Sequence, residues 1–460
     1  MPIEILGKND SFSIIHALAY SFIGAQTLTA AVKWNPIYWD TACLIVNSGA
    51  IDSNENNSSN YSKIAKAVGD IISSNIQVSL VDINKSDYGF KPDSENNKIL
   101  FGLKGISNVG NNVINEILEK RPFSSFKDYL KRVESADKRA NIMLIKAGAF
   151  DCFEDRKFLM AKYIWDTCEK KTRLTLQNMS TLISQDLIPE SLDFEKKVFG
   201  YNKYLKANCK KGTDFVLDVP ALNFYSKHFD VTLLQNNNSI NQKVWDKIYQ
   251  KEMDKVRDWL KINGKDILFN LNSKIFLADW EKYAKGNIST WEMDALCFYY
   301  HEHELIDLNN EKYGISDFFK LEEEPVVENF FVKGNKRIPL YHIDKICGTC
   351  IAKDKVKSTV SLLTTSGVVS VKFRKEYFSM FDKQISEKQA DGKKKVLEKS
   401  WFNKGNMIMI QGIRRGDDFI VKKYASTPGH QLYKIEEIDK EGNIILRSER
   451  KKGIEEEDNE

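Results

Sequence analysis

The chain has 460 residues, of which 42% are hydrophobic and 29% are charged. This length predicts roughly three domains of ~150 residues each, and no apolar run approaches the ~18 residues that a membrane span needs. The net charge of +4 is too small to identify a nucleic-acid binder by itself, so the distribution of charge matters more than its sum. Seven scattered cysteines and the lack of a basic-then-apolar leader favour a cytoplasmic protein with free thiols and no membrane partner.

The first 150 residues alternate helices with short strands. Asn35-Pro36 separates two N-terminal helices, and Gly49 closes the second. Apolar residues at helical spacing follow Asn111, and Pro122 ends that helix. In chain order, helices are predicted over 16–34, 37–48, 61–75, 111–121, from 124 onward and over 138–147, and strands over 77–83 and 98–103.

Residues 155–300 are predicted to be mostly helical. The helix that starts at Trp245 carries aromatic and aliphatic residues at helical spacing, which is more typical of a core-facing stripe than of a recognition surface. Beyond Ile338 the pattern changes to alternating segments separated by turn residues, such as 358–365 and 406–415. This alternation predicts a small antiparallel β-barrel.

The stretch GLKGISNVGNNV, residues 102–113, places three glycines next to the start of a helix. It matches neither the dinucleotide-binding pattern nor the phosphate loop, because the required glycine spacing and the Lys-Ser/Thr ending are missing. It does predict a helix-to-helix corner in which Ile106 and Val109 point inward while Gly105 and Gly110 leave peptide N–H groups accessible. Unpaired N–H groups and the helix dipole favour an anion such as a DNA phosphate. An ordinary tight turn is the alternative interpretation.

Further motifs surround this corner in a fixed order. They are His16-Ala-Leu-Ala-Tyr20 with Gln26-Thr-Leu28 and Asn35-Pro36 upstream, and Phe123-Ser-Ser-Phe-Lys-Asp-Tyr-Leu130, Lys146-Ala-Gly-Ala-Phe-Asp151 and Leu296-Cys-Phe-Tyr-Tyr-His-Glu-His-Glu-Leu305 downstream. Together with the corner and the barrel, they resemble the alpha subunit of bacterial DNA polymerase III, a C-family replicative polymerase.

The resemblance implies an α+β multidomain fold: a helical fingers fragment, a tandem helix-hairpin-helix domain, a mainly helical connecting region and a C-terminal OB-fold β-barrel. The expected bounds are 1–60, 61–155, 156–335 and 336–448, with an acidic tail over 449–460. In the family the catalytic palm precedes the fingers, and no palm-like Asp-x-Asp pair occurs in this chain. We therefore expect the C-terminal portion of a polymerase without a cofactor of its own. Its catalytic aspartates and Mg²⁺ would lie on a separate N-terminal chain or a missing part, through either a split gene or a truncation.

The hairpins are predicted to hold duplex DNA by its phosphates, and the barrel to guide the single-stranded template with basic and aromatic residues. The segment from Asp391 to Lys404 is predicted to be a lysine-rich loop beside the barrel. Protein docking is the alternative role for the barrel. The candidate DNA-binding residues are Lys104, Gly105, Ser107, Asn108, Gly110, Asn111, Asn112, Lys146, Gly148, Lys372, Phe373, Arg374, Lys375, Arg414 and Arg415. By resemblance to the fingers domain, the nucleotide-proximal candidates are His16, Tyr20 and Lys33.

Two further motifs suggest a metal site only weakly. His301-Glu-His-Glu304 places its histidines two residues apart, whereas a zinc-binding helix needs i and i+4. Cys347-Gly-Thr-Cys350 lacks a second pair and lies on a predicted strand, where residues i and i+3 face opposite sides. We therefore expect no metal site, and a metalloenzyme built on the histidines is the weaker alternative.

The expected partners are duplex and single-stranded DNA and an N-terminal polymerase chain that carries the palm. A sliding clamp and other replisome subunits are further candidates, although Gln185-Asp-Leu-Ile188 lacks the aromatic ending of the family's clamp-binding peptide. The expected location is the nucleoid, or the host cytoplasm for a viral protein. The competing hypothesis is a stand-alone, non-enzymatic DNA-binding or scaffold protein.

Overall fold

The computed structural model describes residues 3–51, 59–73, 76–208, 214–235, 238–334, 336–388 and 394–451. The chain forms two compact units, one made of residues 1–160 with 286–460 and the other of residues 161–285. Most of the acidic tail and part of the lysine-rich segment, residues 389–393, lie outside the described residues. Among the helices that are described, none combines the length and apolar character needed to cross a membrane.

Three helices open the first unit, as the sequence predicts. Pro36 stands at the start of the second helix, where its missing N–H is not needed. Gly49 ends that helix in the left-handed conformation, with φ of 72°. The third helix packs against the barrel described below. The bounds are α1 Ile3–Trp34, α2 Pro36–Ser48 and α3 Tyr61–Ser73.

A small sheet and three short helices form the hairpin region. Ser125 caps one helix by accepting from the Asp128 N–H, and Asp137 caps the next by accepting from the Ala140 N–H. The strand predicted over 77–83 is only two residues long, and farther along the Ile83 N–H donates to the Ala149 carbonyl. The bounds are β1 Gln77–Val78, β2 Lys91–Asp93, β3 Lys98–Leu100, α4 Asn111–Lys120, α5 Phe126–Arg132 and α6 Lys138–Lys146.

The second unit is mainly helical and has its own core. Trp245 is fully buried there, its ring packs edge-on against Tyr201 and Phe229, and its indole N–H donates to Asn202 Oδ1 over 3.1 Å. The stripe that starts at Trp245 therefore faces the core, as predicted. The bounds are α7 Arg156–Thr167, of which residues 156–160 still belong to the first unit, α8 Met179–Ser184, α9 Asp193–Asn208, β4 Asp214–Val216, α10 Val219–His228, β5 Ser239–Asn241 and α11 Gln242–Tyr283.

The chain then returns to the first unit and forms the barrel. Two short helices lead to a separate two-stranded ribbon, and the barrel strands follow. A second two-stranded hairpin, β11–β12, comes after α14. The bounds are α12 Ile288–Leu296, α13 Asn310–Tyr313, β6 Val327–Lys333, β7 Lys336–Tyr341, β8 Asp344–Asp354, β9 Thr359–Thr364, β10 Gly367–Lys372, α14 Lys375–Asp382, β11 Ile385–Lys388, β12 Lys394–Glu398, β13 Met407–Arg415, β14 Asp418–Val421, β15 Leu432–Ile438 and β16 Ile444–Arg447.

Five strands close the barrel in the order β8-β9-β10-β14-β13, and β13 pairs back to β8. The pairing of β10 with β14 is parallel, with Val371 opposite Phe419, so the barrel is not wholly antiparallel as the sequence predicted. Along the chain, helix α14 lies between the barrel strands β10 and β13. This closure and the position of the helix give an OB-like fold. The expected α+β fold with hairpins and an OB-like barrel is thus confirmed.

Candidate nucleic-acid interface

The predicted corner consists of a 3₁₀ turn, Leu103–Gly105, followed by the start of α4. Ile106 and Val109 are buried, as the sequence pattern indicates. Asn108 has a φ of +60°, in the left-handed region that asparagine tolerates. Asn108, Gly110 and Asn112 are all exposed around the first turn of α4. An external anion can therefore reach this helix N-terminus.

The two glycines of the corner have different roles. Gly105 is buried, its N–H donates to the Gly102 carbonyl over 3.0 Å, and a Cβ added there would lie 2.7 Å from the Phe101 ring. Gly110 is exposed, and a Cβ added there would meet no atom within 4 Å. The expectation that both glycines leave N–H groups accessible therefore fails at Gly105, which allows close packing instead.

Lys104 and Ser107 make internal contacts. The Lys104 ammonium donates to Asn111 Oδ1 over 2.7 Å, and partial burial lowers the pKa of Lys104. Ser107 is buried, its N–H donates to the Ala295 carbonyl over 2.8 Å, and its Oγ accepts from the Lys404 ammonium over 3.3 Å. Ser107 thus fixes the corner against the C-terminal end of α12 and the loop before β13.

Glu116 on α4 fixes the second hairpin relative to the first. Its carboxylate accepts from the Lys120 ammonium over 2.6 Å, from the Ser135 hydroxyl, and from the N–H groups of Ser135 and Glu134 over 2.9 and 3.1 Å. These donors, with Lys120 first, lower the pKa of Glu116 to about 2. The turn before α6 is thereby held against α4.

The start of α6 is a feature that the sequence analysis missed. Lys138 and the exposed Arg139 directly follow the capping residue Asp137. The sequence does contain a signal for this feature, since two basic residues directly follow an N-cap. A helix N-terminus with added cations favours binding of an anion.

Lys146 and Gly148, both predicted to contact DNA, are parts of a buried polar network. Lys146 is 5% exposed, and its ammonium pairs with Asp294 Oδ2 over 2.5 Å. Gly148 has a φ of +80°, and a Cβ added there would lie 2.3 Å from Nη2 of Arg156. Both residues therefore serve packing, and neither presents a free group to DNA.

Glu292 is the centre of this network and is fully buried. One carboxylate oxygen accepts from Arg156 Nη1 over 3.0 Å and contacts His301 Nδ1 over 2.6 Å. The other accepts from the N–H groups of Tyr300 and His301, each over 3.0 Å. This arrangement satisfies the buried carboxylate and, within the first unit, ties α12 to Arg156 at the start of α7 and to the segment after α12.

His303, the other histidine of the weak metal motif, is occupied elsewhere. Its Nε2–H donates to the Leu363 carbonyl over 3.2 Å, and its Nδ1 accepts from the Leu305 N–H over 3.0 Å. Burial lowers the pKa of His303 to about 4, so the ring is neutral at pH 7. Across the ranges that the structure describes, no group of three metal-binding side chains occurs.

The two cysteines of the other weak motif lie on β8 and face opposite sides, as predicted. Cys350 belongs to the barrel core, whereas Cys347 packs with Leu305 and Met409 outside it. Burial raises the pKa of Cys347 to about 12.

The residues predicted on the barrel do not form one exposed face. Phe373 is buried in the barrel core, and Lys372 pairs with Asp418 over 2.5 Å. The Arg414 guanidinium donates to the Leu321 carbonyl over 2.6 Å and lies 4.7 Å above the Phe318 ring. The predicted barrel cations that are exposed are Arg374, Lys375, Arg415 and the Asp418-paired Lys372.

Other parts of the chain cover the outer side of β8, β9 and β10. Helix α3 packs on β8 and β10, and Tyr299 Oη lies 2.9 Å from Thr349 Oγ1 on β8. The predicted lysine-rich loop is in part strand β12, paired with β11. Its Lys404 points inward, because its ammonium donates to the Asp294 carbonyl over 2.5 Å.

The nucleotide-proximal candidates lie on α1 and are exposed. The His16 and Tyr20 rings are 5.9 Å apart. Thirteen residues separate Tyr20 from Lys33, which corresponds to about 20 Å along a helix. Helix α1 alone therefore does not bring Lys33 close to His16 and Tyr20.

Residues 75–159 match the family described as "Helix-hairpin-helix motif". The chain is similar to C-family DNA polymerases. It is 39% identical to "Probable DNA polymerase YorL" of Bacillus subtilis (strain 168) and to "DNA-directed DNA polymerase" of Bacillus phage SPbeta. Both matches cover 96% of this chain and 35% of the relative, so the chain spans about a third of the length of these curated relatives.

A shorter match concerns the replicative enzyme itself. The chain is 37% identical over 159 residues to "DNA polymerase III subunit alpha" of Thermus aquaticus, which covers 33% of this chain and 12% of the relative. The resemblance inferred from the sequence motifs is thus confirmed, together with a DNA-polymerase context and a DNA-binding motif.

Proposed function

We propose that this chain holds duplex DNA by its backbone during DNA-templated DNA synthesis by a C-family polymerase. The observation that carries the proposal is the exposed first turn of α4, where Asn108 and Asn112 flank Gly110. Peptide N–H groups and the helix dipole at such a turn attract phosphate without reading base sequence. The Glu116 contacts support a grip by two hairpins, because they fix the cationic start of α6 relative to α4.

The catalytic step belongs, in this proposal, to residues outside this chain. Two-metal nucleotidyl transfer needs carboxylates that hold Mg²⁺, and the described residues contain no group of three metal-binding side chains. A palm-bearing polymerase chain is the proposed partner. The exposed apolar residues Leu18, Phe22 and Ile23 on α1 support docking of such a partner.

A charge change at Gly110 tests the phosphate grip. Its φ of −80° suits any residue, so Gly110→Asp and the matched control Gly110→Asn should both fold and both cap α4. A carboxylate about 5 Å from a phosphate costs roughly 1 kcal/mol at the dielectric constant of water, so Gly110→Asp should bind duplex DNA about fivefold more weakly than Gly110→Asn. The difference between the two variants should shrink as the salt concentration rises, because ions screen the added charge. The measurement is fluorescence anisotropy with a labelled duplex at several salt concentrations, and equal binding by both variants would refute the grip.

Primer extension tests the polymerase context. The chain alone should be inactive, and addition of a palm-bearing polypeptide encoded next to it should give Mg²⁺-dependent synthesis. Duplex binding without synthesis, with each neighbouring candidate, would favour the stand-alone DNA-binding protein.

A further inference from the structure

The ribbon β6–β7 is a two-stranded element that pairs with no other described strand. Its strands are antiparallel, with Phe331 opposite Ile338 and Val332 opposite Arg337. Isolated two-stranded hairpins are marginally stable in water. An exposed ribbon of this kind is therefore expected to contact a ligand or partner.

Both faces of the ribbon expose aromatic rings. Phe330 is 43% exposed and Phe331 is 53% exposed. Because successive residues of a strand point to opposite faces, the two rings lie on opposite sides of the ribbon. The other described phenylalanines of the barrel region are mostly buried in its core, so the ribbon concentrates accessible aromatic surface there.

Positive charge accompanies these rings. The Arg337 guanidinium lies 3.9 Å from the centre of the Phe330 ring, and Lys336 is exposed beside the turn. The sequence from 327 to 341 contains three basic residues and one acidic residue, Glu328, which lies at the base near His342. The end of the ribbon away from the barrel is therefore the basic end.

The base of the ribbon is fixed to the barrel. The Tyr341 N–H donates to Tyr424 Oη, beyond the end of β14, over 2.9 Å. The His342 N–H donates to the Val326 carbonyl over 2.9 Å and closes the ribbon at its base. The Lys422 ammonium lies 4.6 Å from the Tyr341 ring and 5.2 Å from the Tyr424 ring. Cationic and aromatic groups thus extend from the ribbon to the barrel surface below it.

We propose that this ribbon binds single-stranded DNA, with bases stacking on Phe330 and Phe331 and phosphates pairing with Lys336 and Arg337. Single strands are held in general by aromatic rings together with cations that follow the backbone. Rings on both faces of the ribbon favour a single strand with splayed bases as the ligand over a duplex groove. The cations favour a polyanion over an apolar protein surface. The proposal deepens the proposed function, because it names the element that contacts the template strand.

The test compares paired substitutions in the full chain, using a labelled oligo(dT) and fluorescence anisotropy. Phe330→Leu with Phe331→Leu keeps apolar surface but removes stacking, and we expect at least a fivefold loss of affinity. Lys336→Gln with Arg337→Gln should flatten the salt slope by about 1.4, for two lost phosphate contacts. Phe158→Leu replaces a phenylalanine outside the ribbon that is 60% exposed, and it should leave binding unchanged.

Retained aromaticity provides a second, positive readout. Phe331→Trp should bind oligo(dT) like the parent, and the fluorescence of the new indole should be quenched on binding. Oligo(dT) binding that is absent in the parent, or unchanged in the two paired variants, would overturn the proposal. An equal loss on a duplex would assign the ribbon to a groove, and a loss confined to binding of the palm-bearing chain would assign it to protein docking. Either outcome also overturns the proposal.

The hairpin test separates this proposal from the proposed function. Gly110→Asp should weaken duplex binding and leave oligo(dT) binding unchanged, whereas the ribbon variants should do the reverse. A refuted prediction for the ribbon variants would therefore leave the hairpin proposal standing, and a refuted prediction for the hairpin variants would leave the ribbon proposal standing.

Discussion

Replacing Arg156 with methionine should lower the free energy of unfolding of the hairpin region substantially. The Arg156 side chain is 4% exposed and its partner Glu292 is 0% exposed, so the substitution leaves a buried carboxylate without its cation. Breaking a buried pair in this way typically costs 3–5 kcal/mol, roughly, because the remaining charge is uncompensated. Loss of the pairing with Asp151, which is 40% exposed, should add little because water replaces it.

Hydrogen exchange of the α12 amides measures this loss locally, which matters because the two units need not unfold together. Arg156→Met combined with Glu292→Gln should be more stable than Arg156→Met alone, since the double variant no longer buries the unpaired carboxylate of Glu292. The control Lys85→Met removes a pair whose lysine is 77% exposed and should cost less than about 1 kcal/mol. A cost for Arg156→Met as small as that of the control, or no recovery in the double variant, would refute the reasoning.

The remaining predictions concern a glycine and two titrating groups. Gly148→Ala should lower the melting temperature markedly, because its φ is +80° and the new Cβ would displace Arg156, whereas Gly110→Ala only weakens the N-cap of α4 and should lower it less. Because the folded pKa of His303, about 4, lies below its ordinary 6.5, stability should be constant above pH 6.5 and fall as the pH drops toward 4. A midpoint near 6.5 in an NMR titration of that ring would contradict this. Glu116 has a pKa of about 2 against an ordinary 4.5, so its contribution should be present above pH 4.5 and be lost as the pH falls through 2; a carboxyl titration with a midpoint near 4.5 would contradict it.

The sequence alone determined the elements whose signals are local. Pro36 and Gly49 mark the ends of α2, and the apolar spacing after Asn111 gives α4, because each signal lies within a few residues of the element. The barrel strands were predicted from their alternation. The parallel pairing of β10 with β14 was not, because register between distant strands depends on closure of the whole barrel.

Only the tertiary structure decided which of the predicted site residues face solvent. Lys146 and Ser107 resemble DNA-binding residues in sequence, yet their partners Asp294 and Lys404 lie 148 and 297 residues away. The exposed phenylalanines of the ribbon show the converse, since apolar residues in an alternating strand are ordinarily assigned to a core. Local pattern specifies helices, strands and the hairpin corner, whereas burial depends on long-range packing that a residue's own neighbours do not encode.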